Sequence, residues 1–241
     1  MKKIVVTGDS GDLGRAIISV LLENGNYQVV GLSRSQPKHL SEFQKKYPNR
    51  YTHLEFDLDQ PEGIKTFYLD QLKNQGPFHG LVNNAAYPYD DIVTNANLDN
   101  LERTFRINVI SPIMLTKYLI RDMLLHNNAG SLVHISSVSA HTGYKGLSMY
   151  AASKGALESF SRTVAREWGV KGVRSNCIAP GFMETRMSES LTEDLKDKIY
   201  RRTSLKKQTD LVSVAESVEF LLSDKSSSIT GTTIHVDSGS L

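Results

Sequence analysis

The stretch TGDSGDLG, residues 7–14, follows the first apolar run of the chain and leads into a segment of helical periodicity. Its three glycines let the backbone turn tightly and come close to a pyrophosphate group. The helix that starts near its end would point its positive N-terminus at the same anion. A plain strand-to-helix turn would also explain the glycines taken alone. We predict a dinucleotide pyrophosphate site at Gly8, Ser10, Gly11, Leu13 and Gly14. Motifs elsewhere in the chain decide between this site and a plain turn.

Outward from this loop, short apolar runs alternate with longer segments of helical periodicity, which is the pattern of parallel crossovers. The predicted strands are Ile4–Thr7, Gln28–Leu32, Tyr51–Phe56, Gly80–Asn83, Ser131–Ser136, Val173–Ala179 and Thr233–Val236. The predicted helices are Gly14–Glu23, Lys38–Lys46, Gly63–Asn74, Val109–His126, Tyr150–Trp168 and Val212–Leu222. No repeat or linker interrupts the pattern. We predict an α/β fold, a single-domain, doubly wound (Rossmann) parallel seven-stranded sheet with helices on both faces, over residues 1–241.

Composition narrows the classes of function. The 28 basic and 26 acidic residues nearly balance, so the charge gives no support to a nucleic-acid or membrane-binding surface. No apolar run approaches the ~20 residues that span a bilayer, and only three apolar residues follow the charged start MKKIVV. The single cysteine, Cys177, lies in an apolar run and fits the core of a protein in a reducing compartment. We expect a cytoplasmic protein without nucleic-acid, membrane or metal partners.

Ligands of doubly wound sheets bind beyond the carboxyl ends of the strands, so the segment SRS at 33–35 is informative. A carboxylate about 20 residues past the glycine loop would favour NAD, by binding the ribose hydroxyls. Ser33 stands there instead, and Arg34 follows it. A guanidinium can hold a 2′-phosphate through two hydrogen bonds, which favours NADP. The alternative is a solvated surface arginine.

The segment SMYAASK places Tyr150 and Lys154 four residues apart, which puts both side chains on one face of a helix. A free phenol has a pKa of about 10, and a nearby ammonium group lowers it. Ser137, at the end of the run SLVHISS, could hydrogen-bond a substrate oxygen. The Tyr-x-x-x-Lys spacing alone is common, but the serine and the glycine loop upstream make it specific. Together they indicate an acid–base site.

These motifs resemble the short branch of the short-chain dehydrogenase/reductases, and most closely the 3-oxoacyl-[acyl-carrier-protein] reductases. The likeness covers nearly the whole chain. The blocks that carry it are TGDSGDLG at 7, DLD at 57, NNAA at 83, RINVIS at 106, HISS at 134, MYAASK at 149, NCIAPGFMETRM at 176 and ITGTTIHVDSG at 229.

The resemblance implies a role for each matching catalytic residue. Tyr150 would protonate the alkoxide that forms in reduction, or act as the base in the reverse direction. Lys154 would hold the nicotinamide ribose and lower the pKa of the tyrosine. Ser137 would orient the carbonyl group, and Asn108 would anchor a water molecule that links Lys154 to solvent.

The same resemblance implies that NADP(H) supplies the hydride, with NAD(H) still open. Besides the glycine loop, Tyr150 and Lys154, the cofactor would contact Ser33 and Arg34 at the ribose, Asp57 and Leu58 at the adenine, Asn83 and Ala85 along the groove, and Pro180, Gly181, Met183 and Thr185 at the carboxamide. Relatives of this kind assemble as tetramers through two long helices, here Val109–His126 and Tyr150–Trp168. A homotetramer is therefore expected.

The glycine loop departs from the short-branch pattern, because Asp12 stands at its middle glycine and Gly11 lies one position early. The spacing is that of the extended branch, in which nucleotide-sugar epimerases and dehydratases are found, and Ala86 likewise replaces a usual glycine. Length, the asparagine pair and the serine–tyrosine spacing favour the short branch. We expect Asp12 to point outward and cap the helix, while Gly11 makes the close approach to the cofactor. Because Gly11 stands where NADP enzymes often carry a basic or hydroxylic residue, Arg34 alone carries the NADP preference.

The substrate remains open among several classes. Acyl-carrier reductases commonly place arginines near the pocket entrance, where this chain has Asn128 and Lys171, which weakens a carrier-protein substrate. The segments on the substrate side contribute a polar set, which is Tyr87, Tyr89, Asp90, His141, Tyr144, Lys145 and Arg186. These side chains fit a hydroxylated, sugar-like or acidic substrate, or are solvated loop tips. We expect a small-molecule carbonyl or alcohol substrate, either a 3-oxoacyl thioester or a polar sugar-like or secondary-metabolite intermediate. A protein that binds a dinucleotide without catalysis is the third alternative.

Overall fold

Seven parallel strands form one sheet. A computed structural model describes residues 1–189 and 191–240. The strands are β1 (Lys2–Thr7), β2 (Tyr27–Ser33), β3 (Tyr51–Glu55), β4 (Gly80–Asn83), β5 (Gly130–Ile135), β6 (Val173–Pro180) and β7 (Thr233–Val236). Across the sheet the strands lie in the order β3-β2-β1-β4-β5-β6-β7, and this order reverses between β1 and β4. Val5 of β1 pairs with Val30 of β2 on one side and with Leu81 of β4 on the other. The predicted doubly wound parallel sheet is confirmed.

Successive side chains of a strand point to opposite faces, and the two faces of this sheet are covered by separate cores. Ile4 and Val6 of β1 belong to one core, and Val5 between them belongs to the other. Burying a side chain of this size stabilises a fold by roughly 1.5–3 kcal/mol. Near-continuous apolar strands with a helical layer on each face therefore follow directly from the sequence.

Eight α-helices lie in the described ranges, and most agree with the predicted ones. They are α1 (Asp12–Asn24), α2 (Lys38–Lys46), α3 (Ile64–Phe67), α4 (Leu98–Phe105), α5 (Ser111–Leu125), α6 (Ser148–Trp168), α7 (Glu193–Arg202) and α8 (Leu211–Leu222). In the first core, which contains Ile4 and Val6, α1 and α8 pack against one face of the sheet. In the second core, which contains Val5, α3 and α5 pack against the other face. Of these helices, none combines the length and the apolar run that crossing a bilayer requires.

Two helices, α4 and α7, were not predicted. The sequence of α7 is EDLKDKIYRR, and none of its residues is buried, so it carries no apolar period to detect. The helix α4 begins after Asn97, whose side chain caps it by accepting a hydrogen bond from the Asn100 N–H, at 3.1 Å. It then continues through a π-helical turn, Arg106–Ile110, into α5. The predicted start at Val109 therefore falls inside a longer helical segment.

Candidate active site

Most of the predicted site residues follow the carboxyl ends of parallel strands, so they meet at one edge of the sheet. The glycine loop follows β1, Ser33 ends β2, Asn83 ends β4, and Pro180 ends β6. Ser137 lies two residues after β5, and Tyr150 is the third residue of α6. This edge, near the reversal of strand order, is where open α/β sheets bind ligands.

The glycine loop is folded back on itself. Gly8 has a φ of +71°, which a residue with a side chain adopts only under strain, and its N–H donates to the Leu32 carbonyl at 2.7 Å. A Cβ at Gly14 would lie 2.0 Å from the Gly8 carbonyl oxygen, so only glycine fits there. Gly11 is in an extended conformation, and its nearest neighbour is again the Gly8 oxygen, at 3.3 Å from a Cβ. Within the protein, then, the closest packing is at Gly14, while an approach of Gly11 to a ligand stays a prediction.

The N-terminus of α1 fits an anion. Gly11 is the N-cap residue and supplies no side-chain cap, and the N–H of Arg15 is the first of the helix to reach a backbone acceptor, the Gly11 carbonyl at 2.8 Å. The N–H groups of the first turn, including that of Leu13, thus lack intrahelical acceptors. Such a terminus attracts phosphate groups. The loop can hold the diphosphate of a dinucleotide.

Asp9 turns away from this cradle into the protein. Its carboxylate is fully buried, and Oδ2 accepts hydrogen bonds from the Tyr51 hydroxyl at 2.8 Å and from His53 Nδ1 at 2.7 Å. Gly31 of β2 leaves the space, since a Cβ there would lie 2.0 Å from the same oxygen. Burial, followed by the charge of Asp9, raises the pKa of Tyr51. Asp9 therefore links the glycine loop to β3 and does not face a phosphate.

Asp12 bonds to the segment after β6. Its Oδ2 accepts the backbone N–H of Arg186 at 2.8 Å, and its Oδ1 lies 3.5 Å from Arg186 Nε. The Arg186 guanidinium also donates to the Ser10 carbonyl at 2.6 Å. The prediction that Asp12 caps its own helix is wrong, because the carboxylate is engaged by a residue 174 positions away. It remains 35% exposed, beside a compensating positive charge.

The predicted adenosine residues lie at the ends of β2 and β3. Ser33 is buried and donates to the Ser35 carbonyl at 3.0 Å, while Arg34 is exposed and has no side-chain hydrogen bond or ion pair to any residue in the described ranges. Asp57 accepts the Asp59 N–H at 3.0 Å, and Leu58 is buried in the second core. Arg34 thus follows β2 with a guanidinium that is unpaired among the described residues.

Asn83 and Ala85 lie where β4 ends, against the glycine loop. Ala85 N–H and Asn84 N–H both donate to Thr7 Oγ1 at 3.0 Å, and the Asn84 amide also donates to the Thr7 and Gly8 carbonyls. Asn83 is buried, its amide nitrogen lies 3.0 Å from His134 Nδ1, and its oxygen has no partner among the described residues. Asn84, which the prediction left out, is therefore the residue that fixes β4 to the loop.

Asn108 lies in the π-helical turn and is buried. Its amide donates to the Tyr87 carbonyl and to Ser153 Oγ, both at 3.0 Å, and its oxygen accepts the Tyr87 N–H at 2.7 Å. Ser153 belongs to α6, so Asn108 joins the segment after β4 to the helix that carries Tyr150. These contacts use both N–H groups of the amide and one acceptor position of its oxygen, and the expected role of Asn108 in anchoring a water molecule stays a prediction.

Ser137 is the N-cap residue of a short 3₁₀ turn, Val138–Ala140, and its Oγ accepts the Ser139 N–H at 3.1 Å. The turn packs against α6. The Ser137 hydroxyl proton remains available, because the bond to Ser139 uses the oxygen as an acceptor. It can donate to an oxygen bound in front of α6.

Tyr150 and Lys154 lie one helical turn apart, with Lys154 Nζ 5.5 Å from the centre of the Tyr150 ring. Burial, followed by the charge of Asp90, raises the pKa of Tyr150, and burial lowers the pKa of Lys154 to about 8. Lys154 Nζ donates to the Ile135 carbonyl at 2.8 Å, and its expected lowering of the tyrosine pKa stays a prediction. Tyr150 is therefore a protonated acid at neutral pH.

The segment after β6 is closely packed at its start. Pro180 ends the strand, and a Cβ at Gly181 would lie 2.6 Å from Thr209 Oγ1. Met183 packs on the first core, and Thr185 forms a capping box with Ser188. The segment is thus fixed at both ends, at β6 and through Arg186 at the glycine loop.

The polar set on the substrate side is mostly engaged within the protein. The hydroxyl of buried Tyr89 accepts the Asn97 N–H at 2.6 Å, the Arg103 guanidinium lies 4.5 Å from the centre of the Tyr87 ring, and His141 contacts Glu158. Asp90 is not engaged in this way. Its negative charge contributes to the raised pKa of Tyr150, and partial burial raises the pKa of Asp90 itself. Asn128 and Lys171 line a depression at the amino end of β5 and β6. Within one chain they therefore lie at the edge opposite the candidate site.

Three comparisons with known proteins bear on this site. A family profile described as Enoyl-(Acyl carrier protein) reductase matches residues 10–240. The 3-oxoacyl-[acyl-carrier-protein] reductase FabG of Haemophilus influenzae is 32% identical over 239 residues, which cover 99% of this chain and 97% of that protein. The L-xylulose reductase of Caenorhabditis elegans is 32% identical over 240 residues, which cover 99% and 95%.

Among solved structures, a 4-hydroxyisoleucine dehydrogenase complexed with NADH superposes with a TM-score of 0.93. The superposition covers 100% of this chain and 98% of that chain, at 24% identity. At that identity the likeness concerns the fold, which is the seven-stranded sheet described above.

Proposed function

Because the chain belongs to the short-chain dehydrogenase/reductase family, and is thereby an oxidoreductase that acts on CH–OH groups with NAD(P), we propose that it is an NADP(H)-dependent reductase whose acid is Tyr150. One observation carries the proposal. Tyr150 and Lys154 lie together on α6, with Lys154 Nζ 5.5 Å from the centre of the tyrosine ring. The same edge of the sheet holds the Ser137 turn and the glycine loop, which leads into a helix without a side-chain cap. In a hydride transfer to a carbonyl, the phosphate cradle would bind the cofactor, and the acid, beside a cation, would protonate the carbonyl oxygen.

The residues at the loop fit a dinucleotide. A helix N-terminus without a side-chain cap, and glycines where side chains would clash, form a cradle for the diphosphate at Gly8, Gly11 and Gly14. Arg34 would contact the adenosine ribose, and Lys154 the nicotinamide ribose. When bound, NADP(H) supplies or accepts the hydride.

The protein's own steps concern orientation and proton transfer. Ser137 Oγ–H donates to the carbonyl oxygen of the substrate and holds it in place. Tyr150 transfers its phenolic proton to the same oxygen as negative charge develops there, and the tyrosinate is left beside the Lys154 ammonium group. In the direction of oxidation, the tyrosinate takes the hydroxyl proton of the alcohol. With its pKa raised, Tyr150 carries its proton at neutral pH, which is the form that the reduction step uses.

Replacement of the acid tests the site. Tyr150→Phe removes the phenolic hydroxyl group and preserves the ring. We expect at least a 10²-fold loss of kcat, in line with the usual contribution of a general acid. Tyr47→Phe, at the end of α2, is the matched control and should retain full activity. Unchanged activity of Tyr150→Phe would instead favour the alternative of a dinucleotide-binding protein without catalysis at this site.

The cofactor preference rests on Arg34. A free guanidinium at the end of β2 attracts a 2′-phosphate, so Arg34→Ala should weaken NADPH binding by tenfold or more and leave the affinity for NADH unchanged. Arg121→Ala, an exposed arginine on α5, is the control. Equal losses for both cofactors, or no loss, would contradict a 2′-phosphate site at Arg34.

Two substrate classes are supported by specific relatives. The Haemophilus reductase favours a 3-oxoacyl thioester, and the nematode L-xylulose reductase, at the same identity, favours a polar sugar-like ketone. We place the thioester first, because several relatives of 29–32% identity are named 3-oxoacyl-[acyl-carrier-protein] reductases. Steady-state assays with acetoacetyl-CoA and with a panel of keto-sugars, L-xylulose included, separate them. No NADPH oxidation with any 3-oxoacyl thioester would reject the first class.

A further inference from the structure

Glu158 is a buried carboxylate on α6 that the steps above do not use. It follows Lys154 by four residues and Tyr150 by eight, so the three side chains lie along one side of the helix. Only 4% of its side chain is exposed. A carboxylate in such a place is costly unless hydrogen bonds compensate for its lost hydration.

Both of its hydrogen bonds reach the segment that carries Ser137. Glu158 Oε1 accepts from Ser136 Oγ at 2.5 Å and from His141 Nε2 at 2.9 Å. The carboxylate oxygen is the acceptor in both bonds, so a proton of His141 lies on Nε2. The His141 ring also makes an edge-to-face contact with the ring of His235, at 4.6 Å between centres.

The two donors flank the turn that Ser137 begins. Ser136 directly precedes Ser137, and His141 directly follows the turn Val138–Ala140. One carboxylate oxygen therefore joins both ends of this segment to α6. The bonds inside the turn, such as that from Ala140 N–H to the Ser137 carbonyl at 3.0 Å, keep its shape without fixing its position relative to the helix.

We propose that Glu158 is a positioning residue that sets the placement of Ser137 relative to Tyr150. The inference rests on the proposed function, in which both hydroxyl groups bind one carbonyl oxygen. Such a pair tolerates little error, because hydrogen bonds weaken steeply with poor geometry and a misplacement of about 1 Å can cost roughly 10²-fold in rate. Glu158 contacts neither the substrate nor the reacting atoms and acts through Ser136 and His141.

Two replacements separate the acceptor from the volume of the side chain. Glu158→Gln keeps an oxygen that accepts both bonds, and Glu158→Leu fills the space without an acceptor. With the best carbonyl substrate of the panel, we expect kcat to fall at least tenfold in Glu158→Leu and less than threefold in Glu158→Gln. The affinity for NADPH should stay unchanged in both. Glu167→Leu, an exposed position near the end of α6, is the control.

A double-mutant cycle distinguishes positioning from a general structural role. Ser137→Ala should cost about 10²-fold in kcat/KM in the wild-type background, as for other donors to a developing oxyanion. In the Glu158→Leu background the same change should cost less than tenfold, because the serine is already misplaced. Full additivity of the two losses would overturn the inference.

A readout that does not need turnover supports the cycle. Amide hydrogen exchange of the segment 136–142 should become faster in Glu158→Leu and stay at the wild-type rate in Glu158→Gln. If Glu158→Leu does not fold, Ser136→Ala and His141→Phe each remove one bond, and both should show the same coupling to Ser137→Ala. Unchanged exchange together with additive losses in these variants would reject the positioning role.

The experiment also keeps the two proposals apart. If Tyr150→Phe and Ser137→Ala retain wild-type activity, the proposed function fails. If they lose activity while Glu158→Leu keeps the wild-type kcat, only the positioning role of Glu158 fails.

Discussion

Burial acts in opposite directions on two side chains that are one helical turn apart. It disfavours the charged form of each group, so the pKa of Tyr150 rises and the pKa of Lys154 falls to about 8. At neutral pH the pair therefore consists of a neutral phenol and a largely protonated amine. The buried Cys177 thiol, with its pKa raised to about 12, stays an inert core group, as the sequence predicted.

The pKa of Lys154 predicts a pH profile. The ratio kcat/KM for NADPH, which reports on the free enzyme, should fall as pH rises above about 8, because the ammonium group then loses its charge. In Lys154→Arg the guanidinium stays charged, and the fall near pH 8 should disappear even if activity is lower. The measurement is a series of steady-state rates between pH 6 and pH 10. A fall at the same pH in the arginine variant would assign it to another group.

Both aspartates of the glycine loop accept hydrogen bonds from residues distant in sequence. Asp9 bonds to Tyr51 and His53 of β3, and Asp12 bonds to Arg186. A carboxylate about 4 Å from a phosphate would repel it by roughly 1 kcal/mol in a water-like dielectric, equivalent to about fivefold in affinity. The Arg186 guanidinium offsets that repulsion at Asp12.

This compensation predicts a cycle of cofactor affinities. Arg186→Gln leaves Asp12 uncompensated and should weaken NADPH binding about fivefold, whereas Asp12→Asn leaves the Arg186 charge uncompensated and should strengthen binding by up to about fivefold. The double variant should return close to the wild-type affinity, because the charge and its counter-charge are then both absent. Titration of NADPH fluorescence measures all four constants. A gain of tenfold or more in Asp12→Asn or Asp12→Gly would mean that the carboxylate does repel the cofactor.

The loop and the start of α1 behave as one element whose shape depends on glycine. At Gly14 the constraint is steric, since the Gly8 carbonyl occupies the place of a side chain. The sequence predicted this turn from glycine spacing alone, because a short loop between a strand and a helix allows few conformations. It could not show that Gly14, among the three glycines, is the most tightly packed.

Alanine substitutions at two glycines test that distinction. Gly14→Ala should destabilise the protein by about 1–3 kcal/mol, as expected for overpacking, and weaken cofactor binding. Gly63→Ala is the control, because its φ of −75° suits any residue and a Cβ would meet Phe56 at an ordinary 3.4 Å. Urea unfolding of both variants gives the comparison, with less than about 0.5 kcal/mol expected for the control. Equal effects would contradict the packing at Gly14.

Assembly concerns the whole molecule. The two helices expected to form the interface of a tetramer are observed as α5 and α6, and Leu125 near the end of α5 is 67% exposed in the single chain. A large exposed apolar side chain is compatible with a covered surface in an oligomer.

Light scattering after size-exclusion chromatography should give four times the mass of one chain. Leu125→Glu should lower that mass if α5 contributes to the interface, since burying an unpaired charge is costly. Leu69→Glu, on the turn after α3, is the control. A wild-type mass equal to that of one chain would contradict the tetramer.

The sequence by itself determined the alternation of strands with helices and the helix that Tyr150 and Lys154 share. Runs such as Ile4–Thr7 and the period of α1 are local signals, and parallel crossovers leave few arrangements for them. The spacing of Tyr150 and Lys154 likewise fixes a shared helix face. A charged helix such as α7 escaped prediction because it buries no apolar side.

Only the tertiary structure decided where the polar side chains point. Asp12 meets a residue 174 positions away, Tyr51 reaches Asp9 across 42, and Glu158 joins both ends of the Ser137 turn. These contacts depend on the packing of separate elements at one edge of the sheet, and no local pattern encodes them. Backbone periodicity is a property of neighbours in sequence, whereas the partners of buried charges are neighbours in space.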